Sequence, residues 1–229
     1  MSHHQARAAA AQLNRECFCV TLDKQAFADA LQHEVADADF FAALTASRPH
    51  LFSHAPVFLP KADRDAMQAI VRAIEAAALL PAYQDAVLGW APPIARLDHG
   101  PIGAFMGYDF HLTPEGPKLI EVNTNAGGAY LNAFLARAQV ACCAEVEQAL
   151  ARASLGAFDG AIIDMFEAEW RLQGRTDALR RIAIVDERPD EQYLYPEFML
   201  AQRLFERHGI EAAIADPRRP AADRERDAL

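Results

Sequence analysis

The chain has 229 residues, of which 52% are hydrophobic and 24% are charged, and its formal net charge is -10. This composition is typical of a globular protein and excludes disorder as the default. The acidic balance argues against nucleic acid or an anionic membrane as a partner, because both require a basic surface. The expected ligand is small, or it is cationic through a bound metal.

The N-terminal residues lack the apolar core of a secretory signal, and no apolar run approaches the roughly 20 residues that a membrane span needs. A cytoplasmic location is therefore expected. The four cysteines are Cys17, Cys19, Cys142 and Cys143. Because their spacing lacks the paired pattern of a zinc site, they are interpreted as reduced, structural thiols.

The first hundred residues show helical periodicity, with helices predicted over 25–35, 38–46 and 62–80. In the last of these, apolar residues recur at helical spacing, and Asp63 is the predicted N-cap. We interpret it as an amphipathic helix that covers a core. A turn-rich connector, residues 90–103, follows it.

The hydrophobic period then changes from 3.6 to 2, and residues 104–112 and 117–125 are predicted strands joined by the turn sequence TPEGP. A hairpin centred on Glu115 pairs Asp109 with Glu121. The same register pairs His111 with Leu119, and Gly107 with Asn123. It also places an apolar set on the opposite face: Tyr108, Phe110, Leu112, Ile120 and Val122.

Two carboxylates that face each other across a strand pair repel unless a positive charge lies between them. Mg²⁺ binds oxygen ligands, and Asn123 offers an amide oxygen beside Glu121. The sequence therefore predicts a metal-binding face made by Asp109, Glu121 and Asn123. The alternative is a solvated strand face whose charges point outward, although such faces more often carry Lys, Thr or mixed charges.

Asn125, Gly127 and Gly128 lead from the hairpin into a helix predicted over 129–153. Free amides at a helix N-terminus can hold a phosphate or a carboxylate, which makes these residues candidates for cofactor binding. Alternatively, the two glycines only permit a tight turn. His111 shares the polar face with Asp109 and could reach a metal or a substrate, or it is merely a hydrogen-bonded neighbour.

The C-terminal part contains a helix over 159–174 and then a βαβ unit: strand RIAIVDE, helix PEFMLAQRLFERH and strand IEAAIAD. The first strand is nearly all apolar, as expected for a strand buried on both faces of a parallel sheet. The acids after it, which are Asp186, Glu187, Asp190 and Glu191, are interpreted as a solvated loop. No third strand follows, so the unit is expected to be incomplete. The expected domains are 1–175 and 180–229.

One pattern in the hairpin resembles a known family. Asp109 is followed twelve residues later by Glu-x-Asn, then by a small turn and a helix, and this resembles the metal-binding end of ATP-grasp ligases. Because the α/β unit comes second, the order is similar to that of circularly permuted ATP-grasp proteins, the group that includes glutathionylspermidine synthase. The resemblance spans roughly residues 90 to 216.

The resemblance implies an α/β (α+β) fold: an ATP-grasp catalytic portion with an antiparallel metal-binding hairpin, followed by an incomplete parallel unit. It implies ATP and Mg²⁺ as cofactors, with Asp109, Glu121 and Asn123 as the Mg²⁺ ligands. The implied reaction phosphorylates a small-molecule carboxylate, and an amine then attacks the acylphosphate.

The chain departs from this family in two respects. Gly107 occupies the place where the synthase is expected to have a phosphate-holding Arg, and the only lysines are Lys24, Lys61 and Lys118, the last on the apolar side of the predicted hairpin. A fragment lacking the lysine-bearing ATP lobe is therefore expected. The missing lobe would come from another chain, or the exposed sheet edge would pair in a homodimer.

Two other function classes remain. A metal-dependent nuclease also places Asp and Glu on a hairpin, but it usually needs a Lys where Asn123 stands and a basic surface for its phosphates. A non-catalytic, degenerate ATP-grasp module is the second, and its lack of nucleotide affinity would distinguish it from a ligase.

Overall fold

The computed structural model describes residues 2–16, 24–35, 44, 46–48, 50–53, 57–138 and 157–218. The four cysteines, most of the helix predicted over 38–46 and the part of the predicted 129–153 helix after residue 138 lie outside the described residues. In chain order the helices are α1 (His3–Glu16), α2 (Lys24–Val35), α3 (Lys61–Ala78), α4 (Pro81–Leu88), α5 (Ala129–Ala138), α6 (Phe158–Leu172) and α7 (Tyr195–Arg207). The strands are β1 (Gly107–Thr113), β2 (Gly116–Asn123), β3 (Arg181–Val185) and β4 (Glu211–Ala215).

The mixed α/β class predicted from the sequence is confirmed, with an antiparallel β1–β2 hairpin and a parallel β3–β4 pair among the described residues. These residues divide into two compact units. The first contains α1, α3, α4, the hairpin and the segment Leu172–Gly174; the second contains α2, α5, the rest of α6, β3, α7 and β4. In the second unit, α2 and α5 pack against α7.

In the first unit, α3 packs against β2, as its amphipathic sequence predicts. The predicted N-cap is wrong, since the helix begins at Lys61 and Pro60 holds the cap position in extended geometry. Asp63 instead lies in the first turn and is buried, with 4% of its surface exposed. An acid in the first turn of a helix is stabilised by the macrodipole, but a buried one also needs a partner.

The hairpin differs from the predicted register at one point. The pairs Asp109 with Glu121 and Gly107 with Asn123 are confirmed, but His111 faces Lys118 and not Leu119. The turn contains only Pro114 and Glu115 between the strands, so the pairing near the turn is shifted by one residue relative to a turn centred on Glu115. A β-bulge between the two registers absorbs the shift and leaves Ile120 as the extra residue on β2.

The second unit contains the predicted βαβ element, with β3 and β4 parallel and α7 between them. The helix packs against β4, α5 and α2, and it buries Leu200, Leu204 and Phe205. Edge-to-face contacts join Phe27 to Phe134, with ring centroids 5.2 Å apart, and Phe166 to Phe205 at 5.0 Å. These aromatic side chains make a core in which α2, α5, α6 and α7 meet.

The expectation that β3 is buried on both faces is wrong for the described structure. Exposed and half-buried residues alternate along the strand, and Val185 is 58% exposed. Period-2 alternation of this kind arises when one face of a sheet is covered and the other is not. The apolar sequence RIAIV therefore predicted more burial than the side chains of this strand have.

Candidate functional site

The polar side chains of the hairpin lie together on one exposed face, which we call the polar face. It comprises Asp109, His111, Lys118, Glu121 and Asn123, all exposed. Residues directly opposite each other across an antiparallel pair have side chains on the same side, about 4.5 to 5.5 Å apart at Cβ. The pairing of Asp109 with Glu121 therefore brings two carboxylates together, as the sequence predicts.

The opposite face of the hairpin is covered by α3. Tyr108, Phe110, Leu119 and Val122 are half-buried there. The Tyr108 hydroxyl donates a hydrogen bond to Glu75 Oε1 at 3.1 Å, and burial together with this carboxylate raises the pKa of the phenol. This packing determines which face of the hairpin is exposed to solvent.

Two members of the predicted apolar face do not lie in this contact. Leu112 is 48% exposed and Ile120 is 54% exposed. Ile120 is the bulge residue, so it does not alternate with its neighbours as a regular strand residue would. The predicted separation into two faces is therefore correct along β1 and from Glu121 to Asn123, and it is wrong for β2 at Ile120 and on the turn side of it.

The bulge also corrects the position of Lys118, which the sequence placed on the apolar side. As the direct partner of His111, Lys118 has its side chain on the polar face. The face thus combines acids at one end with a cation and an imidazole near the turn. The sequence contained no local signal for this, because a turn of two residues and a turn of three are both compatible with TPEGP.

Asn123 Nδ2 donates a hydrogen bond to Glu121 Oε1 at 3.1 Å. This bond assigns the amide nitrogen to the carboxylate and the carbonyl oxygen to any further partner. Two carboxylates and an amide oxygen form a hard, oxygen-only donor set, which suits Mg²⁺ better than a soft metal.

Among the described residues, no group of three or more His, Cys, Asp and Glu side chains is arranged to hold a metal ion. His111 therefore does not join Asp109 and Glu121 in such a group. Asp109, Glu121 and Asn123 are the residues that would hold a Mg²⁺ ion at this face, and Mg²⁺ commonly keeps several waters beside one or two carboxylates.

Gly107 leaves no room for the arginine that the resemblance would place there. A Cβ on Gly107 would lie 2.9 Å from the Cβ of Ala126 and 3.5 Å from the Cβ of Asn123. The departure from the synthase pattern is therefore a consequence of the close packing at the end of the hairpin.

The predicted anion site at the start of α5 is filled by the protein itself. The backbone N–H groups of Gly128, Tyr130 and Leu131 donate to the carboxylate of Glu197 at 3.0, 3.0 and 2.8 Å. The backbone amides that were predicted to bind a phosphate therefore donate their hydrogen bonds to Glu197 within the second unit.

The glycines at this turn have packing roles. A Cβ on Gly127 would lie 2.6 Å from Leu194 Cδ1, and Gly128 has a φ of +95°. The tight-turn alternative accounts for both residues without a ligand. Asn125 belongs to the first unit, where it is exposed.

The buried carboxyl of Glu197 was missed from the sequence. Burial raises its pKa, although the amide donors of Leu131, Tyr130 and Gly128 act in the opposite direction. A signal was present, because Glu197 stands three and four residues before Leu200 and Ala201 and so falls on the apolar face of α7. A charged residue on such a face needs a partner, and α5 supplies it.

The second residue missed from the sequence is Arg7, which braces the hairpin turn. Its Nε donates to both carboxylate oxygens of Asp63, at 2.9 and 3.1 Å, and its Nη1 donates to the carbonyl oxygen of Pro114 at 2.8 Å. The hydrogen bond to Asp63 raises the pKa of the guanidinium above its ordinary value. One side chain of α1 thereby joins the start of α3 to the turn of the hairpin.

Replacing Arg7 with methionine is expected to destabilise the first unit, because the buried Asp63 loses its bidentate partner. Arg64→Met is the matched control, since Arg64 bonds to Asp65, whose side chain is 46% exposed. We expect a clear fall in the midpoint of thermal unfolding for Arg7→Met and almost none for Arg64→Met. Equal midpoints for the two variants would show that the hydrogen bonds of Arg7 do not stabilise the first unit.

The acids that follow β3 lie in a loop with internal partners. Asp216, which follows β4 and is 7% exposed, accepts hydrogen bonds from the N–H groups of Arg188 and Arg218. Arg218 also pairs with Glu187 at 2.5 Å, and Arg188 pairs with Glu191 at 2.6 Å. The exposure of Glu187, Asp190 and Glu191 agrees with a solvated loop.

In comparisons with protein-family models, with curated proteins and with solved structures, nothing matches the chain. In the described part of the chain, no helix combines the length and the apolarity that crossing a membrane requires.

Proposed function

We propose that the polar face binds Mg²⁺ together with the phosphates of ATP, in an ATP- and Mg²⁺-dependent ligation of a carboxylate to an amine of the ATP-grasp type. The observation that supports this most is the direct opposition of Asp109 and Glu121, with Asn123 beside them, on an exposed face. Like charges directly opposite each other destabilise a strand pair, and a bound Mg²⁺ would offset this repulsion.

Each residue has a separate part in this proposal. Asp109 and Glu121 hold the ion from the two strands, and Asn123 adds an amide oxygen while its nitrogen keeps Glu121 oriented. Bound Mg²⁺ would supply charge neutralisation for the phosphates. α3 and Arg7 keep the hairpin in place, and this limits the reorganisation that binding would cost.

The substrates that the resemblance implies are a small-molecule carboxylate and an amine, and the expected location is the cytoplasm, where ATP is available. Besides this face, the reaction needs groups that bind the nucleotide. A partner lobe, in another chain or in a second copy of this one, is the proposed source.

Titration of MgCl₂ and of Mg·ATP into the protein by calorimetry tests this proposal. We expect binding by the wild type, a loss of at least about tenfold in Mg²⁺ affinity for Asp109→Asn and for Glu121→Gln, and no change for Glu115→Gln. Glu115 is the control because it is an exposed acid of the same hairpin. Absence of Mg²⁺ binding in the wild type, or equal loss in the control, would refute the proposed site.

A second candidate is a non-catalytic interaction module of the same fold. The observation that favours it is the apolar surface around α4, a helix without buried residues that is followed by Trp90 at 79% exposure and Ile94 at 73%. Exposed aromatic and aliphatic side chains with few charges are typical of protein-binding surfaces. Such a module would have no Mg·ATP affinity, so the same titration separates the two candidates.

A further inference from the structure

Charge changes sign along the polar face, and this was not visible from the sequence. Asp109 and Glu121 form one pair, and His111 and Lys118 form a pair closer to the turn. The two pairs are two residues apart along β1, from Asp109 to His111, which corresponds to about 7 Å at the usual rise of a strand. The extended side chain of Lys118 can therefore approach a ligand that is held by the two acids.

The β-bulge at Ile120 is responsible for this arrangement. Without it, strict alternation would put Lys118 on the face that packs against α3, with Leu119 opposite His111. Bulges are known to re-aim side chains next to functional sites. Here the bulge exposes an ammonium group on the same side as the carboxylates, and it also exposes Ile120, which is an unfavourable consequence for stability.

In the described structure the Lys118 ammonium makes no salt bridge with the acids of this face. Among the described residues, no ion pair within 4.0 Å involves Lys118. Lys118 interacts electrostatically with Glu115 at the turn, whose pKa is lowered mainly by a hydrogen bond from Thr113, with smaller contributions from Lys118 and Arg7. An exposed cation two positions from an exposed acid pair suits a ligand that bears both a cation and anionic groups.

We propose that Lys118 and His111 form an anion subsite that holds a phosphate group of a polyphosphate whose Mg²⁺ is bound by Asp109 and Glu121. This inference rests on the proposed function and names the ligand of the same site as a triphosphate. The Lys118 ammonium provides charge, and the His111 imidazole provides a hydrogen-bond donor.

Calorimetric titration of inorganic triphosphate, in excess MgCl₂ and in its absence, tests the subsite in three variants. Lys118→Met removes the charge but keeps an unbranched stem, and Lys118→Arg keeps the charge. Lys61→Met is the matched control, because Lys61 belongs to the same unit and its side chain is 80% exposed. Far-ultraviolet circular dichroism checks that every variant is folded.

We expect Lys118→Met to weaken Mg·triphosphate binding by about tenfold while the affinity for Mg²⁺ alone is unchanged. Lys118→Arg is expected to bind nearly as well as the wild type, and so is Lys61→Met. If Mg²⁺ binds but Lys118→Met and Lys61→Met behave alike, the subsite is wrong and the metal face stands. If the wild type binds neither Mg²⁺ nor triphosphate, both proposals are wrong.

Discussion

Replacing Glu197 with alanine is expected to lower the free energy of unfolding of the second unit by about 3 to 4 kcal/mol. The carboxylate accepts hydrogen bonds from three backbone N–H groups at the start of α5, and its residue is 6% exposed. Truncation leaves these donors without their acceptor in a buried place. Each unsatisfied donor costs roughly 1 to 3 kcal/mol, partly recovered if water enters.

The cap is unusual because it comes from a residue 69 positions away from the first donor, Gly128. A helix that follows a glycine has no side chain at its own N-cap position, so the orphan N–H groups of its first turn need another partner. Glu197 fills this need and at the same time joins α7 to α5. Loss of the carboxylate therefore removes a helix cap and a tertiary contact together.

Urea denaturation followed by the fluorescence of Trp170 measures this effect, in a Trp90→Phe background that leaves Trp170 as the only tryptophan. Trp170 lies in α6, in the part of that helix that belongs to the second unit. Glu191→Ala is the control, because Glu191 is an exposed acid of the same unit. A Glu197→Ala protein as stable as Glu191→Ala would contradict the proposed cap.

The same carboxyl predicts a pH dependence with a definite sign. Burial raises the pKa of Glu197 in the folded protein, whereas the unfolded chain has the ordinary value of about 4.3. Between these two values the folded state binds a proton that the unfolded state has lost, so stability falls as pH rises through this window. Relative to Glu197→Gln, which resembles the neutral acid and does not titrate, the wild type is expected to lose stability as pH rises over the same range, and urea denaturation at several pH values measures this.

The parts of the fold that the sequence predicted are those with local causes. Period-2 alternation and the turn residues of TPEGP predicted the hairpin, and the opposition of Asp109 and Glu121 followed from it. The parallel unit followed from a strand, an amphipathic helix and a second strand in succession. In these cases neighbouring residues determine the structure through propensity and pattern alone.

The parts that the sequence did not predict depend on contacts between distant residues. Arg7 and Asp63 are 56 positions apart, and Glu197 and Gly128 are 69 apart. The bulge at Ile120 has a different cause. A turn centred on Glu115 would contain three residues, but the observed turn contains two, and the bulge compensates for this difference. A single shifted residue moved Lys118 from one face of the hairpin to the other, and so changed the predicted chemistry of the site.

Replacing Gly100 with alanine is expected to lower the free energy of unfolding of the first unit by about 3 to 4 kcal/mol, and its effect has two separable causes. Gly100 has a φ of +93°, which L-residues rarely adopt. In addition, a Cβ there would lie 2.1 Å from the backbone carbonyl oxygen of Leu172. Backbone atoms cannot rotate away as a side chain can, so the chain itself would have to move.

Gly103→Ala separates the strain from the clash. Gly103 has a φ of +119°, and a Cβ there would have nothing within 4 Å. Its replacement should cost only the backbone strain, about 1 to 2 kcal/mol. Thermal unfolding followed by circular dichroism compares the two variants with the wild type, and equal losses in both would show that the approach of Leu172 to Gly100 does not matter for stability.

A larger loss of stability for Gly100→Ala than for Gly103→Ala would also explain what holds the connector, residues 90–103, in its conformation. The connector is mostly exposed, and Leu97 and Ile102 have 65% and 84% of their surface in solvent, so hydrophobic burial contributes little there. A hydrogen bond from the Gly100 N–H to Asp98 Oδ1 shapes the turn, and the close approach to Leu172 anchors it. Because β1 begins only seven residues after Gly100, this contact helps to determine where the strand with Asp109 starts.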